Sequence, residues 1–294
     1  MMIKDKDLYY VGGVVRDEIL GIESVDIDLC YEGDAIEFSQ KLGLNIIKTN
    51  PNFGTVRVLL DNREIDIAST RKEIYPKKGH LPKVTEIGCP LDEDLIRRDF
   101  TINALAKRTT DGKIFDIFGG KKDLENKKLR ILHNQSFVDD PTRIIRGLKF
   151  SARFNMELEE TTKKHQEEYL NNINYDMSFH RLKNELVDTF NLNKSVILNK
   201  FILSGIYRLL GENIQKPKIN IAAISEIENT MKDIKDSDTW LVYLSFFDLS
   251  NLGLTRSEKR ILEWAKRLDS EKAGNNTPPL SIVINKLKHS CNLS

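Results

Sequence analysis

The chain is poor in the residues that build covalent frameworks and metal clusters. It has three cysteines in 294 residues, Cys30, Cys89 and Cys291. They are far apart and odd in number, which excludes a disulfide framework and a cysteine-rich metal centre. The five histidines show no ligand spacing. No apolar run reaches the ~18 residues of a membrane-spanning helix, so no membrane partner is expected. The opening MMIKDKDLYY is charged and has no signal-peptide apolar stretch, and the expected location is cytoplasmic. An excess of one charge is missing too: 45 Lys and Arg stand against 44 Asp and Glu, a net +1. With no global field, a polyanion has to be recognised by local patches. The dinucleotide-binding pattern G-x-G-x-x-G is absent, as are internal repeats, low-complexity tails and an HD-type phosphohydrolase signature.

What is present is an ordinary globular composition, 40% hydrophobic, over a length that suits two or three modules. YYVG at 8–11 reads as a strand and VVRDEIL as a helix ended by Gly21. VDIDLCY alternates as a strand. DAIEFSQKLG reads as a helix with Asp34 as N-cap. NIIKT, TVRVLLD and REIDIAS are short, β-branched and split by turns, which predicts a small hairpin-rich sheet. Residues 70–90, with three prolines and two glycines, read as a mobile loop. DEDLIRRDFTINALAK reads as one helix. From about 139 onward helical periodicity dominates. Basic residues cluster at 97–100, 119–130 and 143–154; any one cluster taken alone reads as a solvated face.

Asp26 and Asp28 lie two apart in a strand, so both carboxylates point to one face about 6–7 Å apart. Like charges so placed resist ionising together, and a hard divalent cation removes the conflict. The competing reading is an exposed polar edge, and the pair alone does not decide between them. The alternation of REIDIAS puts Glu64, Asp66 and Ala68 on one face, so a neighbouring strand could add Asp66 as a third carboxylate. Three carboxylates can hold two metal ions for nucleotidyl transfer. Gly12 and Gly13 end a strand and open a helix, where backbone N–H groups suit phosphate, with Arg16 one turn further on.

These residues carry a family resemblance. Gly12-Gly13-Val14-Val15-Arg16-Asp17 followed by Asp26-Ile27-Asp28 resembles the first signature of the class II tRNA nucleotidyltransferase and bacterial poly(A) polymerase family. Arg97-Arg98-Asp99-Phe100-Thr101-Ile102-Asn103-Ala104 resembles its second. Asp139-Asp140-Pro141-Thr142-Arg143-Ile144-Ile145-Arg146 is similar to the nucleotide-selecting signature, and SFHRLKNEL at 178–186 to a segment that follows it. The resemblance spans about 8–190, in family order.

It implies an α+β fold: a polymerase-β-like nucleotidyltransferase head at 1–137, then an all-helical neck at 138–195 and a body with reduced tail at 196–294. It implies template-independent CCA addition to the tRNA 3′ end from CTP and ATP with Mg²⁺, and no protein partner. On this basis Asp26 and Asp28 bind metal; Asp66, offered by the strand pattern, is the candidate third carboxylate. Gly12, Gly13 and Arg16 hold the triphosphate. Arg98, Asp99 and Asn103 serve the sugar and phosphates. Asp140 and Arg143 read the base, and Arg146 supports the triphosphate. The base-reading role is chemically sound. Cytosine and adenine both present an amino donor beside a ring-nitrogen acceptor, which suits a carboxylate beside a guanidinium. Asp before Pro is equally a good helix N-cap, and local sequence alone favours that reading.

Two positions depart from the family pattern. Asp139 stands where Glu is usual, and Lys149 where many members have Arg, which loses a bidentate phosphate contact. The 72–95 segment looks full length, which favours full CCA or A-only addition over CC-only addition. The absence of a basic C-terminal extension disfavours poly(A) synthesis. A catalytically silent RNA-binding protein and a small-molecule nucleotidyltransferase are the readings from other classes.

Overall fold

The computed structural model describes residues 3–24, 27–217, 228, 229, 231, 239–267 and 280–285. Val25 and Asp26 lie outside the described residues, as does the KAGNNTPP stretch at 272–279, whose prolines and glycine predict a loop. Two units divide the chain: Met1–Asp139 with Glu157–Lys163, and Asp140–Met156 with Lys164–Ser294. Among the described residues no helix is long and apolar enough to cross a membrane.

The first unit is built on a seven-stranded sheet. Its strands are β1 (Leu8–Val11), β2 (Asp28–Tyr31), β3 (Asn45–Asn50), β4 (Thr55–Leu60), β5 (Arg63–Ser69), β8 (Ala106–Arg108) and β9 (Ile114–Phe115). They run in the order β3-β4-β5-β2-β1-β8-β9. Only β2 and β5 pair in parallel; the other neighbours are antiparallel. Two helices follow from local signals. Helix α1 (Gly13–Ile19) begins at Gly12, and α2 (Ala35–Lys41) is capped by Asp34, whose carboxylate accepts from Ile36 N at 2.8 Å and Glu37 N at 3.1 Å.

Strand alternation sorts the sheet into two faces. Leu8, Leu29, Val56, Val58, Ile65 and Ile67 pack with Ala35 and Phe38 of α2. Tyr9, Val11 and Cys30 point the other way, onto Leu91 and Leu95 of α3 (Leu91–Ile96). Asp28, Arg57 and Asp66 are one position out of step with the α2-facing residues. Their side chains therefore lie on the face opposite α2.

Two expectations need correction. The 70–90 segment is not a structureless loop. It holds a hairpin, β6 (Arg71–Ile74) against β7 (Lys83–Ile87), whose strands present polar side chains on both faces and so lack an apolar alternation. Residues 91–106 are not one helix. Helix α3 stops at Ile96, Thr101–Asn103 form a 3₁₀ turn, and Ala106 enters β8. The Asp99 carboxylate accepts from Phe100 N at 2.8 Å and Asn103 Nδ2 at 2.9 Å, local bonds that compete with helix continuation. Helix α4 (Gly120–Glu125), strand β10 (Lys128–Leu129) and the short helix α5 (Ser136–Asp139) follow, and β11 (Glu157–Leu158) pairs in parallel with β10.

The second unit is helical. Helices α6 (Thr142–Phe154), α8 (Phe179–Phe190), α9 (Ser195–Leu203) and α10 (Thr239–Leu244) supply its core, with α7 (Glu160–Asn171), which enters the unit at Lys164, between α6 and α8 in sequence and α11 (Arg256–Arg267) after them. Ile144, Ile145, Leu148, Leu182, Leu186, Phe190 and Phe201 are buried at helical spacing. Phe190 meets Phe201 edge-on at 5.3 Å between ring centroids.

Ile67 is fully buried beside the Asp66 position in the middle of the sheet. Ile67→Ala is expected to lower unfolding free energy by about 2–5 kcal/mol in urea titration, through lost burial and a residual cavity.

Candidate functional site

The Gly-Gly turn is the first fixed point of the first unit. Gly12 has φ +68° and ψ −125°, a backbone that a residue with Cβ rarely adopts. A Cβ there would also lie 3.2 Å from Arg98 Nη1, so the guanidinium closes directly on the turn. The Gly12 N–H donates to Leu105 O at 3.2 Å, so this amide is engaged in the fold.

Behind the turn runs a buried polar chain. Arg16, 4% exposed, donates from Nε to Asp17 Oδ1 at 2.8 Å and from Nη1 to Asn103 Oδ1 at 2.6 Å. Asn103 Nδ2 passes the chain to Asp99 Oδ1 at 2.9 Å. The structure thus joins Arg16 and Asp17 to Asp99 and Asn103, 87 residues on in the case of the Arg16–Asn103 bond.

Asp28 and Asp66 meet across the parallel pair β2–β5, where they are direct register partners. Arg57 on β4 is the register partner of Asp66 on its other side. It grips both carboxylate oxygens, Nε to Oδ1 at 2.7 Å and Nη2 to Oδ2 at 2.7 Å. A cleft of about 430 Å³ holds these two carboxylates together with Lys48, Arg57, Arg71, Arg97 and Arg98. Five cations around two carboxylates suit a polyphosphate. Arg98 Nε is buried without a hydrogen-bond partner, a donor with capacity for an anion. A larger cleft of about 560 Å³ in the second unit, between Tyr175, Phe179, Glu212 and Asp248, has no Lys or Arg in its described lining and does not suit phosphate.

Asp94, 1% exposed, anchors both arginines of the second signature. Its carboxylate accepts from Arg98 Nη2 at 3.0 Å and Arg97 Nε at 3.0 Å. Glu73 supports the same group, 2.7 Å from Arg71 Nε and 3.2 Å from Arg97 Nη1. Burial alone would raise the Asp94 carboxyl; the Arg98 and Arg97 guanidiniums outweigh it and hold the carboxyl below its usual value.

In the second unit Asp140 is buried at the start of α6. Its Oδ1 accepts from Thr142 N at 3.1 Å and Thr142 Oγ1 at 2.6 Å, as an N-terminal cap would, and its Oδ2 accepts from Arg181 Nη2 on α8. Arg143 is buried one turn on. Arg146 Nη1 donates to Glu185 Oε1 at 3.3 Å, and Lys149 Nζ to Glu185 Oε2 at 3.2 Å. Back in the first unit, Asp139 pairs with Lys78 while its carbonyl accepts from Gly79 N at 3.0 Å. The segment after the hairpin strand β6 is thereby tied to residue 139.

Residues 8–130 match the Poly A polymerase head domain. The A-adding tRNA nucleotidyltransferase of Aquifex aeolicus (strain VF5) is 45% identical over 163 residues, 53% of this chain and 19% of that protein. The A-adding tRNA nucleotidyltransferase of Geobacter sulfurreducens is 36% identical over 259 residues, 80% of this chain and 28% of that protein. The chain therefore spans well under half the length of these two relatives. A solved CCA-adding enzyme in an apo form aligns with TM-score 0.76 and 26% identity, covering 97% of this chain and 78% of that one.

Within this head domain, reading the sequence missed Asp94, Glu73, Lys48, Arg57, Arg71 and Arg97, and in the helical unit Arg181 and Glu185. Asp94 was legible from its i+3 and i+4 spacing to Arg97 and Arg98 on a helical stretch. Arg57 was legible from a turn: Asp61 and Asn62 both have positive φ, so a two-residue loop fixes the register that sets Arg57 opposite Asp66.

Asp94→Asn is expected to lower stability by about 3–5 kcal/mol at neutral pH, by leaving two buried guanidiniums short of a partner. Because the folded carboxyl lies below its ordinary 3.8, this contribution is whole above that value and is lost as pH falls through the folded value. Urea titrations of both proteins across pH 7 to 3 should show the gap narrowing only at the acid end.

Proposed function

We propose that the chain is a tRNA nucleotidyltransferase that adds the terminal CCA to tRNA 3′ ends from CTP and ATP. The observation that carries this is the cleft where Asp28 and Asp66 face five basic residues, one of which, Arg98, lies against the Gly12 turn. A 3′ hydroxyl attacks the α-phosphorus of the incoming nucleotide, the new P–O bond forms, and pyrophosphate leaves. Arg98 and the bases beside it hold phosphate oxygens. Arg16 is buried against Asp17 and Asn103, so it acts on the triphosphate side by holding the Gly12–Gly13 turn in shape.

Asp28 and Asp66 offer oxygen donors of the kind a hard divalent cation takes, in adjacent register positions. Their chemistry fits Mg²⁺, with Asp26 as the further donor read from sequence. No group of three or more His, Cys, Asp or Glu that could hold a metal occurs among the described residues, which do not include Asp26. When bound, Mg²⁺ would supply charge neutralisation at the phosphates and activation of the hydroxyl.

Asp140 and Arg143 at the start of α6 select cytosine and adenine, with Arg181 and Thr142 fixing the Asp140 carboxylate. Arg146, held by Glu185, serves the triphosphate side. In this reading 1–137 is the catalytic head, 138–195 the selecting neck and 196–294 the tRNA-binding part. A second reading, addition of the terminal A alone, is favoured by the names of the Aquifex and Geobacter relatives.

The test is product length on three tRNAs: lacking all three terminal nucleotides, lacking only the last A, and complete. Growth by CCA followed by arrest supports full addition. A single A on the second substrate alone supports the A-adding reading. No incorporation with Mg²⁺ overturns both. Asp28→Ala is expected to reduce transfer of both nucleotides to background. Arg143→Ala should lower the preference for CTP and ATP over UTP and GTP roughly ten- to hundredfold, the effect of about 1–3 kcal/mol at a buried hydrogen bond; an unchanged preference would refute base reading by Arg143.

A further inference from the structure

Arg57, Asp66 and Asp28 form one transverse row across β4, β5 and β2. Each is the register partner of the next, and strands so paired lie about 4.8 Å apart. The row reads plus, minus, minus. Arg57 occupies both oxygens of Asp66 with a planar two-point grip and reaches Glu64 Oε2 at 3.3 Å with its third nitrogen. Asp28, Arg57, Glu64 and Asp66 share a small cleft of about 280 Å³, and Arg57 also lines the larger basic cleft.

A cation that takes oxygen from Asp66 meets a competitor already in place. That competitor is easy to displace. The Arg57 and Asp66 side chains are 45% and 48% exposed, so water weakens their attraction, and such pairs contribute little net stability. Arg57 also has somewhere to go. The larger cleft that it lines holds Lys48, Arg71, Arg97 and Arg98, the bases assigned to phosphate.

We propose that Arg57 is a positioning residue that holds Asp66 closed in the metal-free protein and yields it to the divalent cation. This rests on the reading of Asp66 as a cation ligand. The guanidinium keeps two adjacent carboxylates from repelling one another before the cation arrives. It sets the cation affinity lower than the carboxylates alone would. The backbone register that places Arg57 is fixed by the Asp61–Asn62 turn, so only the side chain has to move.

The probe is Mn²⁺ alone, with free Mn²⁺ read by its electron paramagnetic resonance signal in titrations of the full chain. Arg57→Gln keeps the side chain's bulk and removes its charge, and circular dichroism checks its fold. It is expected to bind Mn²⁺ roughly two- to tenfold more tightly than the unaltered protein, the scale of one exposed ion pair and one neighbouring charge. Arg57→Lys, which keeps the charge without the two-point grip, should fall between the two. In an Asp66→Asn background, Arg57→Gln should produce no further tightening. Equal or weaker binding by Arg57→Gln overturns the proposal, as does tightening that persists without the Asp66 carboxylate. If Asp66→Asn itself leaves Mn²⁺ affinity unchanged, the reading of Asp66 as a ligand fails, and the proposal with it. If Asp66→Asn weakens binding while Arg57→Gln does not alter it, the ligand reading stands and the role of Arg57 alone falls.

Discussion

The buried guanidinium of Arg16 is the constraint on which the head depends. A charge sealed from water must find partners, and it finds them in Asp17 beside it and Asn103 far along the chain. Asn103 in turn commits Asp99, and Asp99 shapes the backbone at Phe100. The first turn and the second signature therefore order one another. Arg98, one residue before Asp99, is delivered to the Gly12 turn, where a Cβ would stand 3.2 Å from its Nη1. What reaches the cleft, Arg98 above all, is positioned by groups that do not reach it.

The sheet adds a second level of order. Pleat alternation gives one face to α2 and the apolar core, and leaves the other to Arg57, Asp66 and Asp28. Electrostatics in the helical unit follow a similar logic. Along α6 the charges run Asp140, Arg146, Lys149; along α8 they run Arg181, Glu185, Asp188. Each finds its opposite, with Lys149 also 3.7 Å from Asp188. Lys149 supplies its charge here as well as an arginine would, since its partners are single carboxylate oxygens.

Strands β1 to β5 and helices α1 and α2 were legible because alternation, glycine stops and the Asp34 cap all point the same way. The hairpin within 70–90 was not, because the inward face of RKEI is Arg71 and Glu73, a charged pair with no apolar alternation to betray a strand. Residues 91–106 misled for a different reason. Phe100, Ile102 and Leu105 carry apolar side chains at spacings a helix could use, yet Asp99 diverts the backbone and Thr101 is pinned by Asp123 at 2.7 Å and by Arg130 O at 2.9 Å. In the candidate site, the residues proposed to do chemistry were singled out by motif order. Their supports were overlooked because a support such as Asp94 or Glu73 looks, in sequence, like any surface acid. Asp140 makes the bond to Thr142 N that its place before Pro141 predicts, and it also meets Arg181, which nothing in the local sequence points to.

Strand β11 has a bearing on how such a protein can be taken apart. The chain leaves the first unit after Asp139 and comes back at Glu157 to lay a parallel strand beside β10. Glu159 then meets Arg130 at 3.4 Å, and Thr162 Oγ1 accepts from Ile131 N at 3.1 Å. No single cut separates the units. A gene fragment ending at residue 139 would lose a strand and its anchors from the head, and a recombination event that exchanged the helical unit while keeping that strand would need three crossovers, after residues 139, 156 and 163. The head and its first helix are consequently inherited as one segment of sequence.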